Sequence, residues 1–151
     1  MYRGINKVDI EENAENKYPS KKQKASPIRL ELLVSTETDR QIVELAQATS
    51  VEKTAVVRML MWFAIRLATK EELVAFAAQK GYLENTQGKN KNNKKLTSPT
   101  STRITAEMDA HIKELIELMD MKKKIQSNAI RTLLEWALEN LGNYTLADLL
   151  G

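Results

Sequence analysis

The sequence predicts a mainly α protein in which two β-α-α units share one two-stranded antiparallel ribbon, with a further helix connecting them. Three observations point there: a helix-favouring composition, a period-two stretch that runs into two amphipathic helices, and the return of that whole pattern in the second half. Of 151 residues, 42% are apolar and 5% aromatic, with only 5 Gly and 3 Pro. That profile favours helices over turn-rich sheet. The length suits one compact unit, or two small units that need each other.

Residues 1–26 are polar, without a sustained period, and read as a flexible basic tail. At 28–34 the run IRLELLV places Leu30, Leu32 and Val34 in alternation with Arg29, Glu31 and Leu33. Alternation of that kind marks a half-buried strand. Ser35 is a good N-cap and Glu37 suits the first turn of a helix over 36–48, which carries Ile42, Leu45 and Ala46 on one face. Thr49, Ser50 and Val51 break that pattern. A second helix over 53–68 then sets Val57, Leu60, Met61, Ala64 and Leu67 at helical spacing, completing a unit over 27–68. Thr69 and Glu72 form a capping-box pattern that opens a short connecting helix ending near Gly81. The remainder of 69–98 is a linker rich in Lys and Asn.

The first unit then recurs at 99–141. At an offset of 70, Val34 falls on Ile104, Ser35 on Thr105, Glu37 on Glu107, Asp39 on Asp109, Ile42 on Ile112 and Leu45 on Leu115. At an offset of 73, Thr54 falls on Ser127, Val57 on Ile130, Arg58 on Arg131, Leu60 on Leu133, Phe63 on Trp136 and Ala64 on Ala137. The second copy therefore has a longer connection between its helices. A unit of roughly 40 residues rarely sustains its own core, and a lone strand leaves its backbone groups unpaired. Pairing the two strands resolves both difficulties. A short segment, 142–151, closes the chain, with Gly142 as a helix stop and Thr145 before the apolar turn LADLL.

The net charge is only +3, but the cations are segregated: Lys21, Lys22 and Lys24, then Lys89, Lys91, Lys94 and Lys95, then Lys122, Lys123 and Lys124. Clusters of this sort suit a polyanion. With no Cys and a single His, His111, the chain offers no Cys-based zinc site, iron-sulfur cluster, disulfide framework or multi-His constellation. No metal, cofactor or catalytic residue is expected. No Gly-rich phosphate loop, nucleophile elbow or paired acid motif is present either, so an enzyme is the least supported reading. The longest apolar run, 59–65, is far below the roughly 20 residues that cross a bilayer. The opening MYRGINKVDIEEN has no apolar stretch of the secretory kind, and the expectation is a cytoplasmic protein without a membrane partner. Trp62, Trp136 and the methionines at 59, 61, 108, 119 and 121 follow helical faces and read as packing residues, whereas His111 reads as a surface residue.

The strand-to-cap run RLELLVS and the helix signatures TAVVRML and SNAIRTLL, in that order and twice over, resemble the ribbon-helix-helix family of DNA-binding proteins. The resemblance covers about residues 28–68 and 99–141. It implies that the family's usual dimer is imitated within one chain, as an intramolecular pseudo-dimer that could associate further as a homodimer. It also implies a double-stranded DNA partner and a sequence-specific transcriptional regulator. Alternatives are an accessory DNA-binding protein of a plasmid or virus, of relaxosome or partition type, or an antitoxin-like interaction module.

In that family the ribbon enters the major groove, and its outward side chains read bases. By position these are Arg29, Glu31 and Leu33 in the first copy and Pro99, Ser101 and Arg103 in the second. The N-termini of the second helices grip phosphates. Here that implies Lys53 and Thr54, and Ser127 and Asn128 with Lys122, Lys123 and Lys124 beside them. Departures from the family pattern are the missing Gly between the helices and the carboxylates of Glu31 and Glu52. The strand TSTR is also poor in apolar residues, so a one-residue slip would exchange Thr102 and Arg103 between faces. The two halves are accordingly expected to differ.

Overall fold

The structure, a computed structural model, describes residues 28–84, 95–121 and 124–143. The N-terminal tail, Lys122, Lys123, most of the Lys/Asn-rich linker and the LADLL turn lie outside the described residues. Over the described residues the chain is mainly helical and carries one two-stranded antiparallel sheet. Its elements are β1 (Ile28–Ser35), α1 (Thr36–Thr49), α2 (Lys53–Leu67), α3 (Lys70–Lys80), β2 (Leu96–Ile104), α4 (Ala106–Met119) and α5 (Gln126–Asn140), closed by a 3-10 turn at Leu141–Asn143.

β1 alternates as its sequence requires: Leu30, Leu32 and Val34 are buried while Arg29, Glu31 and Leu33 are exposed. β2 begins at Leu96, inside the stretch expected to be linker. Leu96 is 2% exposed and pairs with Ser35, so an apolar anchor extends the strand towards its N-terminus. The pairing runs from Ile28↔Ile104 through Arg29↔Arg103, Leu30↔Thr102, Glu31↔Ser101, Leu32↔Thr100 and Leu33↔Pro99 to Val34↔Ser98. Moving each residue to its repeat equivalent, 70 positions away, maps this ladder onto itself. Glu31 and Ser101 exchange places and mark the centre of the ribbon.

Burying a Leu or Val contributes about 1.5–3 kcal/mol. β2 forgoes much of that gain, because Thr100 and Thr102 point inward. Thr102 instead donates its hydroxyl to the Thr54 carbonyl at 2.6 Å, which ties the strand to α2 and fixes Arg103 on the outer face. A slipped register would break that bond and bury an arginine.

The repeat extends to the helix ends. Ser35 Oγ accepts from the Thr38 amide and Thr105 Oγ1 from the Met108 amide, so α1 and α4 are capped alike. Both also end on a left-handed residue, Ser50 (φ 57) and Asp120 (φ 53), again 70 positions apart. These residues make the turn between the two helices of each unit, where no glycine stands. A left-handed non-glycine residue costs about 1–2 kcal/mol, of which Gly would return about 0.4–1 through its looser unfolded chain. Ser50→Gly and Asp120→Gly are therefore each expected to stabilise the protein by roughly 0.5 kcal/mol. A higher urea midpoint at unchanged m-value would register it; lower midpoints for both would refute this account of the turns.

The core sits between the inner face of the ribbon and the helices, with Ile42, Leu60, Met61, Phe63, Ile112, Leu115, Ile130 and Leu134 among its members. α3 is more than a connector. Its Leu73 and Ala77, together with Tyr82, are buried against the second unit, where α3 packs on α5 and α4. As a result α5 is buried over most of its circumference, whereas α2 leaves Leu67 42% exposed and Trp62 half-buried. Trp136 and four of the five methionines expected to pack are buried, and Met59 is half-buried against the core. His111 corrects an expectation. It is half-buried, with its ring edge-on to Trp62 at 5.9 Å.

Candidate nucleic-acid interface

The outer face of the ribbon brings together all the side chains that the sequence assigned to base contact. Arg29, Glu31, Leu33, Pro99 and Arg103 are exposed and Ser101 is half-buried. They stand as three cross-strand pairs, Arg29 with Arg103, Glu31 with Ser101 and Leu33 with Pro99. Two like charges directly opposite one another destabilise a ribbon, so folding alone gives no reason for the arginine pair. Arg29 is partly compensated by its neighbour on the same face, donating Nε to Glu31 at 2.6 Å with both side chains well exposed. Pro99 fits because each strand of a two-stranded ribbon has a free edge, to which a residue lacking a donor can turn.

Behind the arginine end lies the first turn of α2. Arg29, Arg58, Arg103, Thr54, Ser101 and Thr102 line one recess there. Arg58 Nη1 reaches the Arg103 carbonyl at 3.4 Å. At the opposite end Arg131 donates Nε to the Leu33 carbonyl at 2.7 Å. The two bonds are equivalents, since Arg131 repeats Arg58 and Leu33 is repeated by Arg103. Their surroundings differ. Arg131 is buried, with Nη1 donating to Asn128 Oδ1 at 2.7 Å, and Asn128 Nδ2 in turn donates to the carbonyls of Tyr82 and Glu84. Burial lowers the pKa of the Arg131 guanidinium from its ordinary value, and Tyr82 and Glu135 oppose that fall. Tyr82 Oη donates to the buried Glu135 carboxylate, which completes the network.

The residues expected at phosphates are less uniform. Thr54 is exposed at the start of α2, and Ser127 is half-buried at the start of α5. Neither second helix receives a capping bond from its N-cap side chain, which is Glu52 in one and Ile125 in the other. Lys53 reaches back to Asp39 on α1, and Glu52 adds a carboxylate to the same end. Lys124 is exposed and paired with Glu117 at 2.9 Å. Asn128 is a correction: it is fully buried, and both ends of its amide are engaged. The chain leaving α3 passes over the first turn of α5 and takes that side chain, while the Asn128 backbone amide, the kind of group expected to meet a phosphate, donates to the Ile125 carbonyl at 3.1 Å.

Sequence reasoning assigned no role to Arg58, Arg131, Tyr82 or Glu135. The first two carried a usable signal, an arginine recurring at the same place in each second helix. Tyr82 and Glu135 carried none, because their meeting depends on where α3 docks.

Among the described residues no group of His, Asp and Glu is placed to hold a metal, and no helix is long and apolar enough to cross a membrane. Compared with protein-family models, curated proteins and solved structures, the chain matches none of them.

Proposed function

We propose that the chain is a tandem ribbon-helix-helix protein that binds double-stranded DNA as a sequence-specific regulator, laying the β1–β2 ribbon in the major groove. The observation that carries this reading is the outer face of the ribbon. Two exposed arginines stand directly opposite each other, an arrangement that does not favour folding but suits guanine O6 and N7 in a groove wide enough for two strands. Glu31 can accept from cytosine N4, and Ser101 tolerates any base. The self-mapping ladder and the matched caps of α1 and α4 support a pseudo-dimer made within one chain.

Measuring duplex affinity against salt tests this reading. Each neutralised phosphate contributes about −0.9 to the slope of log K on log salt, and a slope of about −3 or steeper is expected. A flat response would remove DNA from the account. Glu31→Gln, which frees Arg29 from its carboxylate, is expected to strengthen binding at low salt by a few-fold and to relax the preference at the central base pair. A weakened affinity would show that the carboxylate serves recognition by holding Arg29.

A further inference from the structure

We infer that the DNA site is asymmetric, with a guanine step under one end of the ribbon and thymine methyls under the other. The inference rests on the DNA-binding reading above. The backbone of the ribbon is pseudo-symmetric about Glu31 and Ser101, so a symmetric reader would carry matched side chains at equivalent places. It does not. Arg29 is replaced by Pro99 in the second copy, and Arg103 occupies the place that Leu33 holds in the first. Within β1 and β2 both outward cations therefore stand at one end, and the other end presents Pro99 and Leu33, the latter 45% exposed, with the exposed Lys95 just before β2.

The shell behind each end reinforces the division. Arg58 stands beside the arginine pair in the recess with Thr54, where its guanidinium adds positive charge close to the bases. Its equivalent, Arg131, is buried and spent on the Leu33 carbonyl and Asn128, so it brings no comparable charge to the Leu33 end. Arginine pairs with guanine in bidentate fashion, whereas small and medium apolar groups pack on the thymine C5-methyl. One backbone frame thus presents two chemistries, and turning the protein end for end on its site is disfavoured.

Selection of bound duplexes from a random pool by the full chain tests this, run beside the double variant Leu33→Arg/Pro99→Arg. Both substitutions lie on the exposed face, so the fold should persist, as circular dichroism would check. The wild type is expected to select a non-palindromic motif, with guanine at one end and an A·T-rich step at the other. Changing that guanine should weaken binding by about 5- to 150-fold. The double variant should gain guanine at the second end and select a motif that is closer to palindromic. A palindromic wild-type motif, or an unchanged motif in the variant, overturns the asymmetric assignment while leaving DNA binding intact. No duplex retained even at low salt overturns both.

Discussion

Arg131→Ala is expected to destabilise the fold by about 3–5 kcal/mol, far more than any single substitution on the exposed face of the ribbon. The guanidinium links three parts of the chain that are distant in sequence: the Leu33 carbonyl on β1, Asn128 on α5 and, through Asn128, the carbonyls of residues 82 and 84 after α3. Truncating it leaves a carbonyl and an amide oxygen without their donor and removes the cation that opposes the buried Glu135 carboxylate. Lys at this position should rescue little, because an ammonium cannot reproduce a fork that spans two acceptors. Arg58→Ala, its repeat equivalent, should change stability by no more than about 0.5 kcal/mol, since Arg58 is only half-buried and its bond to Arg103 is long. Urea unfolding of the three variants checks the ordering. A loss below about 1 kcal/mol for Arg131→Ala would show that the network is not holding the ribbon to α5.

The second large effect falls on binding. Removing both ribbon arginines, Arg29→Ala with Arg103→Ala, should lower affinity for the selected site by about 2–6 kcal/mol, at about 1–3 kcal/mol for each bidentate contact. Both side chains are exposed, and stability should not fall; relief of the like-charge pair should raise it slightly. Binding to unrelated duplexes should decline much less, since most of that affinity comes from phosphates. Competition titrations with specific and unrelated DNA separate the two terms. An equal loss on both would mean that the arginines contact phosphate and read no sequence.

Much of this fold was legible in the sequence because its signals are local. The alternation of IRLELLV, the Ser35 cap and the Thr69–Glu72 capping box each depend on residues a few positions apart, and each stands where expected; Thr105, the repeat equivalent of Ser35, caps α4 in the same way. The ribbon register was harder, because Ser98, Thr100 and Thr102 give β2 no apolar stripe. A hydroxyl-to-carbonyl bond from Thr102 and the buried ends Leu96 and Ile104 set it instead. What stayed illegible depends on where α3 docks. Its packing on α5 and α4 buries Asn128, pairs Tyr82 with Glu135 and turns one of two equivalent arginines into a structural tie. No spacing rule encodes that, because the contacts join residues more than 40 positions apart.

The most direct measurement of the central claim is methylation interference on a selected duplex. Methyl groups at guanine N7 project into the major groove, and those at adenine N3 into the minor groove. A ribbon inserted in the major groove predicts that N7 methylation at the guanine step blocks binding and that the Arg29/Arg103 alanine variant loses this sensitivity. Interference confined to adenine N3, with guanine N7 indifferent, would contradict the account.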